Sequence, residues 1–368
     1  MRRTLLIAGA FAALCITSCK KNEVIIPETK TDLSISATPY LQMQNASTKS
    51  FVEDDATGTE AVNSLEVFVF RTDSGHEGEL IAYQANKSGS NVNITLNTKE
   101  GGVDYNFLAF ANNYDQVAGD YKYDLAGFIG SAQGGLDMKD NMKAVVTDLK
   151  KNFFMQGSDL QMDLLMICDS TTTISPTTTD LSLTVSRVVS KVELRKVSVD
   201  YPTEALKAND LVIDNIYITN VAKESTWGRT AGAVGWYNET KFVSGDCDKI
   251  LFDAVNYKIN DGATRTAITY DTGANPHRFF AYINDATVKK TKLVIDCTYK
   301  GAEKTYYVTE LPPIKPGYAY IVKNAIIKGL GSDDPDKVTI RSNFNVTVSV
   351  KPWIDVLLGE NNDGDVIL

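Results

Sequence analysis

Apolar residues recur in this chain at every second position, in runs too short to be helices. Leu33, Ile35 and Ala37 alternate with polar neighbours, and Pro39, Leu41 and Met43 continue that rhythm. Val92, Ile94 and Leu96 alternate with Asn and Thr, Leu183 and Val185 with Ser and Thr, and Phe344, Val346, Val348 and Val350 with Asn345, Thr347, Ser349 and Lys351. A period of two puts successive side chains on opposite faces of a strand, so each run has one buried and one wet face. Turn residues such as Asp73-Ser74-Gly75, Ser88-Gly89-Ser90 and Gly101-Gly102 separate the runs. Many short strands between turns predict a mainly β chain of antiparallel β-sandwiches. One helix is expected over Met138–Phe154, where Met138, Met142, Val145, Val146, Leu149 and Phe153 share a helical face. Ser170–Pro176 and the three threonines after it read as a linker, with a domain boundary near residues 170–190.

The N-terminus is an address. Arg2 and Arg3 precede an apolar run from Leu5 to Ile16, too short to span a bilayer and suited to the core of a signal peptide. The run ends in Ile16-Thr17-Ser18-Cys19, which resembles a bacterial lipobox. That resemblance implies cleavage before Cys19, acylation of its sulfur and attachment to a membrane surface. With Cys15 removed and Cys19 lipidated, Cys168, Cys247 and Cys297 remain. Cys247 and Cys297 could pair in an oxidising compartment, or all three could be buried thiols.

Residues that carry chemistry are sparse. The chain has two histidines, His76 and His277, and no zinc-protease, nucleophile-elbow, P-loop or dinucleotide motif. No catalytic residue, metal or cofactor is expected, and the chain does not read as an enzyme. Lys and Arg total 37 against 46 Asp and Glu, a net charge of −9. A nucleic-acid partner calls for the opposite sign. Gly329-Leu330-Gly331 lacks the third glycine of a phosphate cradle and reads as a turn. Trp227, Trp236 and Tyr237 could form a sugar-stacking platform or could pin a long loop. Beyond Phe344–Val350, Pro352 and Trp353 interrupt the alternation, and Ile354, Val356 and Leu358 resume it. Pro352 lacks an N–H and belongs at a bulge or an edge. A strand beyond such a break can pair with its own domain or with a neighbour.

Across nearly its whole length the sequence resembles the FimA-type fimbrillins of Bacteroidetes type V pili. The resemblance is carried by the lipobox at Cys19, the alternating Leu33–Met43 stretch, and Lys49-Ser50-Phe51 before an acidic loop. It continues through Leu65–Phe70, Phe107–Asn112, Phe154–Gly157 and Leu183–Val192. It ends with Gly317–Tyr320, Gly329–Ser332 and the motif Val346, Val348, Val350, Pro352, Trp353.

The family implies two transthyretin-like antiparallel β-sandwich domains with one or two helices. Residues 1–18 would be the signal peptide, 19–49 a propeptide carrying a cleavable strand, 50–180 and 181–343 the two sandwiches, and 344–368 the C-terminal strands. A trypsin-like protease would cut between Lys49 and Ser50, Lys49 being the only Lys or Arg between Lys30 and Arg71. The displaced strand would hold Leu33, Ile35, Ala37, Leu41 and Met43. Ile354, Val356 and Leu358 of another subunit would refill its place, which is donor-strand addition, a form of β-augmentation. Loss of residues 1–49 removes six basic and three acidic residues and leaves a net charge of −12. The implied partners are other copies of the chain, related pilus subunits, the maturation protease and host or bacterial surface ligands. The implied location is the outer membrane and the cell-surface fimbrium, with a role in adhesion. Two other readings are a glycan-binding surface lipoprotein that keeps residues 20–49 as a tether and a tip or anchor fimbrillin.

Overall fold

The computed structural model describes residues 28–39, 61–129, 136–156, 159–162, 164–230, 235–243, 248–273, 276–285, 289–352 and 365–367. Cys19, Leu41, Met43, Lys49, Ser50, Cys247, Trp353, Ile354, Val356 and Leu358 lie outside the described residues. The architecture is mainly β, as the alternation predicts.

The first half is built from β1 (Thr29–Pro39), β2 (Leu65–Arg71), β3 (Leu80–Asn86), β4 (Asn91–Thr98) and β5 (Val103–Ala111), followed by β6 (Met166–Ile174) and β7 (Asp180–Arg187). Their order is β3-β2-β5-β6-β7-β1-β4. Strands β3 and β4 are joined by a short turn, so the two ends of this order meet and the sheet folds over on itself as a sandwich. The crossing point is β7, which pairs with β6 only at Met166–Arg187 and Ile167–Ser186, and with β1 from Asp180 to Val185. Val92, Ile94 and Leu96 of β4 point inward, as do Leu183 and Val185 of β7, into a core that also holds Val67 and Val69 of β2 and Phe107 of β5. The outer face of β2 is buried too. Glu66, 2% exposed, accepts hydrogen bonds from Asn113 Nδ2 (2.5 Å) and the Tyr83 hydroxyl (3.1 Å).

After Arg187 the chain enters the second half. One sheet contains β8 (Ser190–Leu194), β9 (Lys196–Val199), β12 (His277–Ala281), β15 (Tyr318–Ile327), β16 (Phe344–Pro352) and β17 (Asp365–Ile367). The other contains β10 (Leu211–Thr219), β11 (Phe252–Asp261), β13 (Lys292–Tyr299) and β14 (Glu303–Glu310). One continuous apolar core runs through both halves.

Two expectations from the sequence are corrected. The helix α1 spans only Leu136–Ala144. Its Lys143 carbonyl accepts from Gly228 N (2.8 Å), the Val145 carbonyl accepts from Trp227 N (3.2 Å), and Val146–Asp148 pairs as a strand with Glu224–Thr226. Tertiary pairing captures residues whose spacing also fits a helix. The threonine-rich stretch after Cys168 is not a linker, because Ser170–Ile174 continues β6 and pairs with Val103–Phe107 of β5. Threonine is β-branched and suits a half-buried strand.

The junction between halves centres on Trp227. It is fully buried, with the ring centroids of Phe110 at 5.0 Å and Tyr123 at 6.0 Å. Nearby, buried Asn152 donates to the Leu149 carbonyl and the Tyr282 hydroxyl and accepts from Leu165 N.

Burial raises the Glu66 carboxyl from its ordinary 4.5 to about 7, although hydrogen bonds from Asn113 and Tyr83 oppose the shift. The folded state therefore keeps a proton that the unfolded chain releases, and stability falls as pH rises from about 4.5 through 7. Glu66→Gln is expected to abolish roughly 2–3 kcal/mol of the stability lost between pH 5 and pH 8. Urea unfolding of both proteins at the two pH values measures this. Equal losses in the two proteins would contradict it.

Candidate functional site

Strand β1 is the most N-terminal of the described strands, yet it lies inside the sheet. On one side it runs parallel to β7, from Ser34–Asp180 to Pro39–Val185. On the other it runs antiparallel to β4, from Thr29–Thr98 to Ser36–Asn91. Among the described residues β4 and β7 do not pair with each other. Without β1 they would border a gap two strand spacings wide, about 9–10 Å.

The alternation read from the sequence gives β1 its two faces. Leu33, Ile35 and Ala37 are 1%, 0% and 2% exposed and lie with Val92, Ile94, Leu96, Leu183 and Val185 in the core. Asp32 on the opposite face accepts from the Thr95 hydroxyl (2.6 Å). Thr31 also points inward, and its hydroxyl meets that of Thr98 at 2.6 Å. The Thr98 hydroxyl lies 3.1 Å from the Thr29 carbonyl, to which it donates. Each large aliphatic side chain buried here contributes about 1.5–3 kcal/mol, on top of a hydrogen-bonded ladder along both edges. The Tyr105 hydroxyl of β5, which is not a ladder partner of β4, donates to the Asn97 carbonyl of β4.

At the other end of the chain, Val346 and Val348 of β16 are buried and Val350 is half-buried, while Pro352 ends the pairing opposite Tyr318. Strand β17 returns to the outer edge of β16, with Thr347–Ile367, Val348–Val366 and Ser349–Asp365 in register. Three residues are too few for an alternation to be recognised.

Other candidate groups are placed elsewhere. The buried Trp227 cannot stack on a sugar, which removes one of the three rings of the platform reading. Trp236 and Tyr237 are half-buried, with Lys289 over the first ring and Lys223 over the second. His277 is held between Asp253 Oδ2 (2.7 Å) and the Tyr270 hydroxyl (2.8 Å). Among the described residues no group of His, Cys, Asp or Glu is arranged to hold a metal ion. Cys168 and Cys297 are free, buried thiols. Where β6 and β7 diverge, a cleft of about 460 Å³ opens, lined by Cys168, Ser170, Thr172, Ser182, Thr184 and Ser186. At its rim, burial pushes the Asp169 carboxyl up, but hydrogen bonds from Asn106, Lys139 and Lys143 outweigh this and hold it at about 2.

No family model matches the sequence, and no curated protein matches it. Solved structures do. A candidate cell adhesion protein from Bacteroides eggerthii superposes with a TM-score of 0.55 at 18% identity, over 89% of this chain and 97% of that one. A candidate cell adhesion protein from Parabacteroides distasonis gives 0.54 at 17% identity, over 88% and 97%. The fimbrilin FimA from Porphyromonas gingivalis gives 0.53 at 16% identity, over 88% and 98%. The chain therefore has a fimbrillin-type fold, in agreement with the resemblance read from its motifs.

In the intact chain, Leu33→Ala and Ile35→Ala should each lower stability by about 2–5 kcal/mol, since each leaves a cavity in the sandwich. Ser34→Ala, on the opposite face of β1, should change it by less than about 0.5 kcal/mol. Denaturant unfolding midpoints separate these outcomes. Equal effects at all three positions would contradict the placement of β1.

Proposed function

We propose that this protein is a structural subunit of a surface fimbria. It is exported as a lipoprotein anchored through Cys19, matured by cleavage after Lys49 and polymerised by donor-strand exchange, and the fibre supports adhesion. The observation that carries this reading is the position of β1, a core strand that lies wholly N-terminal to Lys49.

Cleavage there leaves β1 in its groove but no longer tied to the sandwich. Its rebinding becomes bimolecular, and the high effective concentration of a covalent tether is lost. Once β1 leaves, the facing edges of β4 and β7 become open pairing templates over an apolar floor. Residues 353–364 connect β16 to β17 and contain Ile354, Val356 and Leu358. Pairing of β17 at home is confined to three residues of β16, so freeing the tail disrupts little ladder. A tail that leaves its own sheet and enters the next subunit's groove makes a heterologous contact that does not close, and such contacts build filaments. The fold shared with a fimbrilin and with candidate cell adhesion proteins supports the reading. The presence of both a removable strand and a donor segment suits a polymerising shaft subunit. Its partners are further copies, related pilus subunits and the maturation protease.

Lys49→Ala is expected to give an uncut, lipid-anchored monomer, whereas the natural chain gives ladders resistant to sodium dodecyl sulfate. Ladders of equal length from the variant would contradict maturation at this residue. A chain ending at Trp353 should fold and accept a donor but should not donate.

A further inference from the structure

The hairpin of β6 and β7 is closed at both ends and open in the middle. Residues 175–179 join the two strands in a turn, where Thr178 N donates to the Ser175 carbonyl (3.0 Å). At the far end Met166–Arg187 and Ile167–Ser186 pair. Between these ends β6 stays with β5 in one layer of the sandwich and β7 stays with β1 in the other. The cleft of about 460 Å³ occupies this opening, a size within the ordinary range for bound ligands.

Register fixes which backbone groups border it. Ser34 N donates to the Thr179 carbonyl (2.9 Å), so along this parallel ladder the odd-numbered residues of β7 turn their N–H and C=O groups toward β1. Ser182 and Thr184 turn theirs the other way, toward β6. Val188 N donates to the Leu165 carbonyl (3.0 Å), which makes Leu165 and Ile167 the residues of β6 that bond across to β7. Asp169, Thr171 and Thr173 continue that edge beyond the last pair. Among the described residues none of these five finds a ladder partner across the opening. Sandwich layers lie about 10 Å apart, twice the spacing of paired strands, so one further strand fits between two such edges. Unpaired edges of this kind are templates for another chain.

Side chains in the cleft are also unspent. The hydroxyls of Thr172, Ser182, Thr184 and Ser186 line it without hydrogen-bond partners among the described residues. Arg229 lines it from the second half of the chain, at a φ of 62°, in the left-handed region that favours glycine. Its turn is fixed by bonds from Gly228 N to the Lys143 carbonyl (2.8 Å) and from Arg229 N to the Thr226 carbonyl (2.9 Å). The guanidinium itself has no partner among the described residues. Asp169 is shared between Lys139 and Lys143, each at 2.9 Å. Three cations therefore stand against one carboxylate here, while Asp180 stands at the turn end of the opening.

We propose that this opening is a second strand-accepting site, separate from the groove of β1, and that it takes an extended peptide carrying an acidic side chain. The peptide main chain completes ladders on Asp169–Thr173 and Ser182–Thr184, and its carboxylate meets Arg229. The free hydroxyls receive its other polar side chains. Because β7 also walls the groove of β1, a strand held here ties that wall to β6 over the length where the two are otherwise apart.

Amide hydrogen exchange of the uncut full chain, read by mass spectrometry, tests the site. The probe is an acetylated heptapeptide in which valine alternates with threonine, glutamate and threonine. It should slow exchange across residues 168–174 and 180–186 by about tenfold or more, with no acceleration across residues 29–39. The same peptide N-methylated at its central amides should protect neither segment. Arg229→Asn keeps a residue that tolerates the left-handed backbone and removes the guanidinium. It should weaken binding of the glutamate peptide about threefold to fivefold and that of a glutamine counterpart less than about 1.5-fold. Absence of protection with the peptide would overturn the site. Faster exchange across residues 29–39 would place the peptide in the groove of β1 and overturn it equally. Equal losses for the two peptides would overturn the acidic preference. Protection by an oligogalacturonate in place of the peptide would overturn the assignment to a strand.

Discussion

The first sandwich depends on a strand that it does not encode contiguously. Strands β4 and β7 each satisfy one edge only by pairing with β1, and the floor beneath them is closed by Leu33, Ile35 and Ala37. Backbone donors and acceptors buried without partners are costly, so some strand must occupy this position in any folded state. The identity of that strand is less constrained than its presence. A groove made of ladder edges and alternate pockets accepts any segment with the right alternation, and this makes exchange physically available to the fold.

The rest of the molecule holds the groove still. β7 crosses between the two layers of the sandwich, so the wall it forms is fixed at Arg187 by pairing with β6. The second half grips the first through Trp227, through the pairing of Val146–Asp148 with Glu224–Thr226, and through the Asn152–Tyr282 hydrogen bond. Once β1 leaves, β7 stays paired with β6 at its Arg187 end, whereas β4, whose one strand partner among the described residues is β1, is held by its turn to β3 and by the Tyr105–Asn97 and Asn86–Asn91 hydrogen bonds. The C-terminal end is arranged differently. β16 is held firmly by β15, while β17 adds a three-residue pairing at an outer edge.

Much of this was legible in the amino-acid order because period-two alternation reports burial directly. The inward set of β1 and the buried valines of β16 follow from it. Alternation fails where two periods coincide. Val145, Val146 and Leu149 fit a helical face, yet the Val145 carbonyl accepts from Trp227 N, Val146 pairs with Thr226, Leu149 N donates to the Lys223 carbonyl, and the helix stops at Ala144. Threonine-rich Ser170–Thr173 resembles a solvated connection by composition, but it is β-branched and finds β5 beside it. The polar site in the groove was out of reach for another reason. Thr31 and Thr98 are ordinary threonines until pairing register brings their hydroxyls to 2.6 Å, and no local pattern reports a register between strands so far apart in sequence.

The central claim is that one copy's tail takes the place of another copy's first strand. A cryo-electron microscopy map of the assembled fibre tests it most directly. The account predicts that the strand between β4 and β7 carries the side chains of Ile354, Val356 and Leu358 from the neighbouring subunit and that residues 1–49 are absent. A map in which Thr29–Pro39 still fills that place in every polymerised subunit would contradict it.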